Sequence, residues 1–137
     1  MSEATAHPAG SPLSFLAFDF GTRRVGIASG NTLTRTATPL ATVSAQGEAR
    51  LDAIARLIQA WQPAALVVGV PFHPDGARHA NTDRARRFGR ELTARFRLPV
   101  HEVDERYTTT EARRAGASDL DAAAAAIILE QHLASLP

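Results

Sequence analysis

Cysteine and lysine are both absent from this chain of 137 residues. The absence of cysteine excludes disulfide bonds and thiolate metal ligands, and it fits a protein of the reducing cytoplasm. Because lysine is absent, all 15 basic residues are arginine. Arginine can hold a phosphate through two parallel hydrogen bonds, although genome composition alone can also produce this bias. The formal net charge is only +1, so the overall charge does not identify a nucleic-acid-binding protein.

Long apolar runs are also absent. No stretch approaches the roughly 20 apolar residues of a membrane span, so no membrane partner is expected. The first residues are small and polar, without the basic and apolar blocks of a signal peptide. We predict a disordered lead-in over residues 1–13 and a single domain over residues 14–137, because this length suits one hydrophobic core.

The first half of the chain is typical of β-structure. Residues 15–20 form an apolar run interrupted by Asp19, a short turn at 21–24 leads into a second strand at 25–29, and residues 36–43 are rich in β-branched side chains. Three strands in close succession predict an antiparallel meander. Pro39 indicates an irregular or edge position for the third strand, since proline cannot donate a ladder hydrogen bond.

After residue 43, the hydrophobic pattern indicates alternating helices and strands. Leu51, Ile54, Ile58 and Trp61 recur at helical spacing before Pro63, and residues 65–70 are a continuous apolar run typical of a buried parallel strand. A second helix is predicted over 80–96 and a fifth strand over 100–103. Capping-box spacing at Thr108 predicts a short helix ending near Gly116, and an alanine-rich helix follows over 120–133.

The order β-β-β-α-β-α-β-α predicts a mixed five-stranded sheet with helices on both faces. This is the connectivity of the RNase H-like α/β fold. Small side chains on the last helix should let it lie close against the sheet. Phe15, Phe18, Phe88 and Trp61 fall on predicted core faces.

Acidic side chains stand at three strand or helix ends. Asp19 interrupts an apolar strand, where an ionised carboxylate is costly unless it is paired or binds a cation. Asp104 and Glu105 end the fifth strand, and Asp121 begins the last helix. If the first, fourth and fifth strands are neighbours, these carboxylates meet at one edge. Oxygen ligands of this kind favour Mg²⁺ or Mn²⁺, which support phosphodiester hydrolysis without a serine or cysteine nucleophile.

Each carboxylate also has a structural interpretation. Asp121 lies three residues after Ser118 and can favour the helix amino end, and Asp119 fits a first-turn charge. Glu105 can pair with Arg106 or Arg113. Strand alternation places Asp104 and Glu105 on opposite faces, so only one of them shares the face of Asp19.

Basic residues adjoin these carboxylates. Arg23 and Arg24 follow Asp19 and can hold the scissile phosphate or stabilise its developing charge. Six further arginines cluster on the second predicted helix, where they can contact phosphate or form an ordinary solvated face: Arg84, Arg86, Arg87, Arg90, Arg95 and Arg97.

Four segments, in this order, resemble the YqgF/RuvX family of Holliday junction resolvases and pre-16S rRNA nucleases. They are residues 18–28 (FDFGTRRVGIA), residues 67–71 (VVGVP) with Asp75-Gly76, residues 104–106 (DER) with Thr108-Thr109 and residues 111–113 (EAR), and Asp121 with residues 125–130 (AAIILE). Together they cover nearly the whole chain after residue 14.

The resemblance implies an RNase H-like fold and a bacterial cytoplasmic nuclease that matures the 5′ end of 16S rRNA. It implies Asp19, Glu105 (or Asp104) and Asp121 as catalytic and metal-binding carboxylates, with Asp119 as an additional acidic candidate. Arg106, in the third segment, joins Arg23 and Arg24 as a candidate phosphate ligand. The expected cofactor is Mg²⁺ or Mn²⁺. The expected partners are precursor 16S rRNA, branched DNA and the precursor of the small ribosomal subunit, with the protein a monomer or a homodimer.

This chain departs from the family pattern in two places. The basic, glycine-containing stretch before the final aspartate is shortened to residues 114–120, which leaves the substrate preference open. His73-Pro74 also stands where the family more often has Asn-Met.

Three alternatives accompany the nuclease hypothesis. Cleavage of Holliday junctions uses the same chemistry on another substrate and favours a two-fold dimer. A non-catalytic RNA-binding assembly factor would retain the fold without needing its carboxylates. A nucleotide-binding half of an actin-like ATPase shares the Asp-Phe-Gly-Thr type of loop, but that architecture needs two such domains.

Overall fold

The computed structural model describes residues 12–105 and 120–137. Five strands and three helices lie in these ranges: β1 Ser14–Phe20, β2 Val25–Asn31, β3 Ala37–Val43, α1 Gly47–Trp61, β4 Ala65–Val70, α2 Thr82–Phe96, β5 Val100–Asp104 and α3 Leu120–Ser135. The helix predicted from Thr108 to Gly116 and the first 11 residues of the predicted lead-in lie outside the described residues. None of the three helices has the length and apolar character needed to span a bilayer.

The strands form one mixed sheet in the order β3-β2-β1-β4-β5. β1, β2 and β3 pair antiparallel, whereas β4 pairs parallel with both β1 and β5. The predicted meander, the adjacency of the first, fourth and fifth strands and the edge position of β3 are therefore confirmed. Pro39 lies opposite Ala28, where the β2–β3 register shifts.

Strand alternation divides the core into two layers. Leu16 and Phe18 point to one face of the sheet, where they pack with Ile54 of α1 and Phe88 of α2. Phe15 and Ala17 point to the other face, which α3 covers with side chains that include Ile128, Leu129 and Leu133. Asp19 has the same parity as Phe15 and Ala17, so it belongs to the α3 face of the sheet.

Helix α3 lies unusually close to the sheet, as its alanines predicted. Ala122, Ala124, Ala125 and Ala126 are all buried. Gly26 of β2 is required here, because a Cβ at this position would collide with the backbone of Asp121. A glycine on the strand and alanines on the helix together let the first turn of α3 rest directly on β2.

The prediction that Trp61 is part of the core is wrong. Its side chain is 47% exposed, whereas Phe15, Phe18 and Phe88 are buried as predicted. Trp61 is the last residue of α1, and the chain turns at Gln62 in a left-handed conformation. The indole borders a groove that Phe15, Leu40 and Pro63 line together with short polar side chains, and this lining leaves about half of it exposed.

Substituting Ala125 by leucine tests the close packing of α3. Ala125 is fully buried against Ala28 and Ala37, so added carbon atoms must displace the helix. We expect a loss of about 1–3 kcal/mol in the free energy of unfolding, measured by urea denaturation. Ala134→Leu, at an exposed position of the same helix, is the control and should change stability by less than about 0.5 kcal/mol. Equal losses in both variants would contradict the packing argument.

Candidate active site

Asp19 lies near the carboxyl end of β1, flanked by glycine on both neighbouring strands. It is opposite Gly26 of β2 and Gly69 of β4. Residues opposite one another in a sheet share a face, so two side chains that would otherwise crowd Asp19 are missing. A Cβ on Gly69 would come within 2.9 Å of Oε2 of Glu105. The two glycines therefore leave the space that Asp121 and Glu105 enter.

Glu105 is the acidic partner that the structure brings against Asp19. It follows β5 immediately, and its backbone N–H donates to the carbonyl oxygen of Val70 at 3.2 Å. Its side chain is 8% exposed and forms a side-chain hydrogen bond with Asp19. The Oε2 atom of Glu105 is buried without a hydrogen-bond partner. A buried carboxyl oxygen left in this state is costly unless a ligand or a cation engages it.

The pKa values of both carboxyl groups are raised. Burial raises the pKa of Asp19 to about 6, the hydrogen bond with Glu105 lowers it, and the charge of Asp121 raises it further. Burial raises the pKa of Glu105 to about 9, and the neighbouring charge of Asp19 adds to the effect. The two groups titrate as one coupled pair.

Asp121 joins the pair from the first turn of α3. Its charge acts on Asp19, and its Oδ2 accepts an ion-pair hydrogen bond of 2.9 Å from Nε of Arg24. Its side chain is partly exposed, so the ion pair lies at the solvent boundary of the site. Asp121 is therefore the outer carboxylate, and Asp19 and Glu105 are the inner pair.

The β1–β2 turn carries Arg23 and Arg24 to this boundary. Its carbonyl oxygen at Thr22 accepts a hydrogen bond of 3.2 Å from the buried guanidinium of Arg50. Arg50 also donates to the carbonyl oxygen of Ala45 at 2.9 Å, so it ties the turn to the start of α1. Nothing in the sequence singles out Arg50, because its position on the helix gives no signal of this tertiary contact.

Two further predicted site residues, Arg23 and Asp104, are exposed to solvent. Arg23 is exposed at the turn, and Asp104 is exposed on the face opposite Glu105, as alternation requires. The charge of Asp104 still raises the pKa of Glu105. Arg106 and Asp119 lie outside the described residues.

Within the ranges 12–105 and 120–137, no three acidic or histidine side chains already meet in an arrangement that could hold a metal ion. Asp19 and Glu105 instead share a proton, and Asp121 is held by Arg24. A divalent cation would replace the shared proton, with Asp121 as a further carboxylate at the open side of the site. Carboxylate oxygens are the donors that Mg²⁺ and Mn²⁺ prefer, and the unpartnered Oε2 of Glu105 is such a donor.

The sheet order and the carboxyl pair between β1 and β5 define an RNase H-like α/β domain. Among solved structures, the chain is similar to Thermus thermophilus RuvC in complex with a Holliday junction substrate, with a TM-score of 0.57 and 17% identity over 88% of this chain and 94% of that one. Another structure of the same protein gives a TM-score of 0.51. At this identity the likeness concerns the fold.

A family profile described as RuvX, Holliday junction resolvase, matches residues 13–135, and the chain belongs to this family. A relative from Polaromonas sp. (strain JS666) is 63% identical over 134 residues, which cover 98% of this chain and 97% of the relative. A relative from Albidiferax ferrireducens is 61% identical and covers 98% of this chain and 86% of its own length. Both carry the name "Putative pre-16S rRNA nuclease". The resemblance found in the sequence is confirmed.

The carboxyl pair should make the metal-free protein less stable as pH rises. Both pKa values are higher in the folded protein than the ordinary values of 3.8 and 4.5, so the folded state holds protons that the unfolded state releases. Stability is therefore full below about pH 4 and declines until the pH passes the folded value of about 9 for Glu105. We expect a decline of about 1–3 kcal/mol between pH 5 and 9, measured by urea denaturation in EDTA.

Glu105→Gln should remove most of this decline above pH 6. Glu102→Gln, at an exposed position on the same strand, is the matched control and should keep the wild-type slope. A wild-type slope in Glu105→Gln would show that the pair does not carry the pH dependence.

Proposed function

We propose that this protein is a nuclease that uses Mg²⁺ or Mn²⁺ to hydrolyse phosphodiester bonds in precursor 16S rRNA, maturing its 5′ end in the cytoplasm. The observation that carries the proposal is the buried Asp19–Glu105 pair, with Asp121 and Arg24 at its open side. The names of the relatives from Polaromonas and Albidiferax support the choice of RNA as substrate. The precursor of the small ribosomal subunit is the natural setting for that substrate.

Asp19 and Glu105 are the proposed inner ligands of the cation. The raised pKa values of both groups support this assignment, because two buried negative charges so close together need a counter-charge. Asp121 is the proposed outer ligand, and Asp104 is not a ligand because it lies on the opposite face. When bound, the metal lowers the pKa of an attacking water and stabilises negative charge on the phosphate.

The protein itself positions the phosphate through arginine. Nε of Arg24 is engaged by Asp121, but a guanidinium has five N–H groups, and the remaining ones are available to a phosphate oxygen. The side chain of Arg24 is 62% exposed, so it can reach a substrate at the solvent boundary. Arg23 at the same turn and Arg106 after the inner pair are the further phosphate ligands that we propose.

Cleavage of a 5′-labelled precursor 16S fragment tests the proposal. Wild-type protein should cut the RNA with Mg²⁺ or Mn²⁺ and not in EDTA. Asp19→Asn and Glu105→Gln should each lower the cleavage rate by at least about 100-fold, because each removes an inner carboxylate. Asp104→Asn, which changes the neighbouring carboxylate on the opposite face, is the matched control and should keep most of the activity.

The same variants distinguish the nuclease from a non-catalytic RNA-binding assembly factor. If Asp19→Asn binds RNA normally and supports 16S maturation in cells, catalysis is not the function and the proposal fails. Loss of maturation with RNA binding retained supports the nuclease.

Metal binding should be measurable as a change in thermal stability, independently of RNA cleavage. A ligand present at 100 times its dissociation constant adds about 2.7 kcal/mol to the stability of the state that binds it. We therefore expect Mn²⁺ at pH 8 to raise the melting temperature of the wild-type protein by roughly 5–10 °C. Glu105→Gln should lose this shift and Asp104→Asn should keep it. An unchanged shift in Glu105→Gln would place the bound ion elsewhere.

Cleavage of Holliday junctions is the second candidate, and the description of the matching family favours it. Symmetric resolution of a four-way junction needs paired cuts by a two-fold dimer. Light scattering and a labelled junction distinguish the two substrates. A dimer that cuts the junction in symmetric pairs, and leaves precursor RNA intact, would replace the RNA proposal.

A further inference from the structure

We propose that the exposed face of α2 binds the phosphate backbone of the RNA that the active site cuts. The contact residues are Arg87, Arg90 and Arg97, which we call the α2 arginine stripe. The chemical class of the ligand rests on the proposed function, whereas the surface itself is a separate feature of the molecule.

The stripe follows from helical periodicity. Arg87 and Arg90 are exposed on the side of α2 that faces away from its buried residues Phe88 and Leu92, and Arg97 follows the helix on the same side. At 1.5 Å per residue the stripe is about 15 Å long, which is enough to reach several phosphates of one strand. Ala94, one of the exposed residues between Arg90 and Arg97, lies on the same side of the helix and has a small side chain that leaves both guanidinium groups accessible.

Most other arginines near α2 are already neutralised by acidic side chains. The pairs are Arg86 with Glu102, Arg95 with Glu48 and Asp52, and Arg78 with Asp83. Arg86 also lies over the ring of Phe72. Glu91, the other acid of α2, acts on Arg50 of α1. Asp83, Glu102, Glu48 and Asp52 therefore pair with arginines outside the stripe.

The stripe itself is uncompensated. In the part of the chain that the structure describes, none of its three arginines forms an ion pair with a carboxylate. A row of exposed, unpaired cations on one side of a helix attracts a polyanion. This local excess of positive charge is hidden by the net charge of +1 for the whole chain.

The start of α2 lies beside the active site. The buried hydroxyl of Thr82, the first residue of the helix, donates to the carbonyl oxygen of Pro71. Pro71 follows Val70, whose carbonyl oxygen accepts the backbone N–H of Glu105. The amino end of α2 is therefore tied to the strand end that carries the site. Because α2 covers the sheet face opposite Asp19, an RNA strand that contacts both must pass over the carboxyl edge of the sheet.

The same face lacks what a protein partner would need. Protein interfaces concentrate their binding energy in buried aromatic and apolar anchors. The large exposed hydrophobic side chains of the described residues are Leu33, Trp61 and Leu120, and none of them is on α2. A nucleic acid, which is bound through charge, fits the stripe better than an acidic protein surface does.

The test compares two double variants that remove equal charge. Arg87→Gln/Arg90→Gln removes two members of the stripe. Arg56→Gln/Arg95→Gln removes one exposed arginine of α1 and the arginine of α2 that Glu48 and Asp52 already neutralise. Binding of a fluorescein-labelled precursor 16S fragment is measured by anisotropy in EDTA at several salt concentrations. Cleavage is measured with Mg²⁺, and circular dichroism verifies that both variants fold.

We expect the stripe variant to bind roughly 10- to 30-fold more weakly near 150 mM salt and its salt slope to fall by about 2, while the control binds like wild type. Its KM for cleavage should rise with kcat nearly unchanged, because the stripe contacts the substrate away from the reacting phosphate.

Other results overturn the inference in distinguishable ways. If wild type binds and cuts the RNA and the stripe variant binds equally well, the inference fails and the proposed function stands. If the control variant binds RNA as weakly as the stripe variant, the effect depends on net charge alone and the inference fails. Tighter, stripe-dependent binding of a four-way DNA junction would overturn the assignment to RNA. If wild type binds no nucleic acid, both the inference and the proposed function fail.

Discussion

The hydrogen bond between Asp19 and Glu105 is the interaction around which the described site is arranged. Two carboxyl groups inside a sheet cannot both ionise without a counter-charge, so they hold a proton at a pH where isolated carboxyl groups would have lost it. A purely structural domain would place apolar side chains here at lower cost. The raised pKa values and the unpartnered Oε2 of Glu105 mark this arrangement as unfavourable in the metal-free protein.

Small residues make that arrangement sterically accessible. Gly26 admits the backbone of α3, which brings Asp121 close, and Gly69 admits the side chain of Glu105. The buried alanines of α3 continue the close approach along the sheet. The close packing of α3 and the approach of the acidic side chains therefore have one cause. Small residues on the strands and on α3 leave the space that both need. A change at either glycine would disturb the site before it disturbed the rest of the core.

Arginine serves three different purposes in a chain without lysine. Arg50 is buried, where it joins the β1–β2 turn to α1 through two carbonyl oxygens and lies over the ring of Phe20. Arg35 holds the carboxyl-terminal residues through the carbonyl oxygens of Leu133, Leu136 and Pro137. Arg24 and the α2 arginine stripe face solvent instead. The planar, multidentate guanidinium suits all three tasks, so a count of basic residues does not reveal which arginines are available to a ligand.

The sequence by itself determined the order of the elements, the edge position of β3, the close packing of α3 and the strand ends that carry the acids, because these follow from local periodicity, proline and residue size. It did not decide between Asp104 and Glu105, and it wrongly placed Trp61 in the core. Those outcomes depend on which side chains other elements bring together: Glu105 extends the face of Asp19 beyond the end of β5, and the side chains near the end of α1 leave about half of the indole exposed. The same holds for the pairing of arginines with acids, since an ion pair between distant segments exists only once the chain has folded.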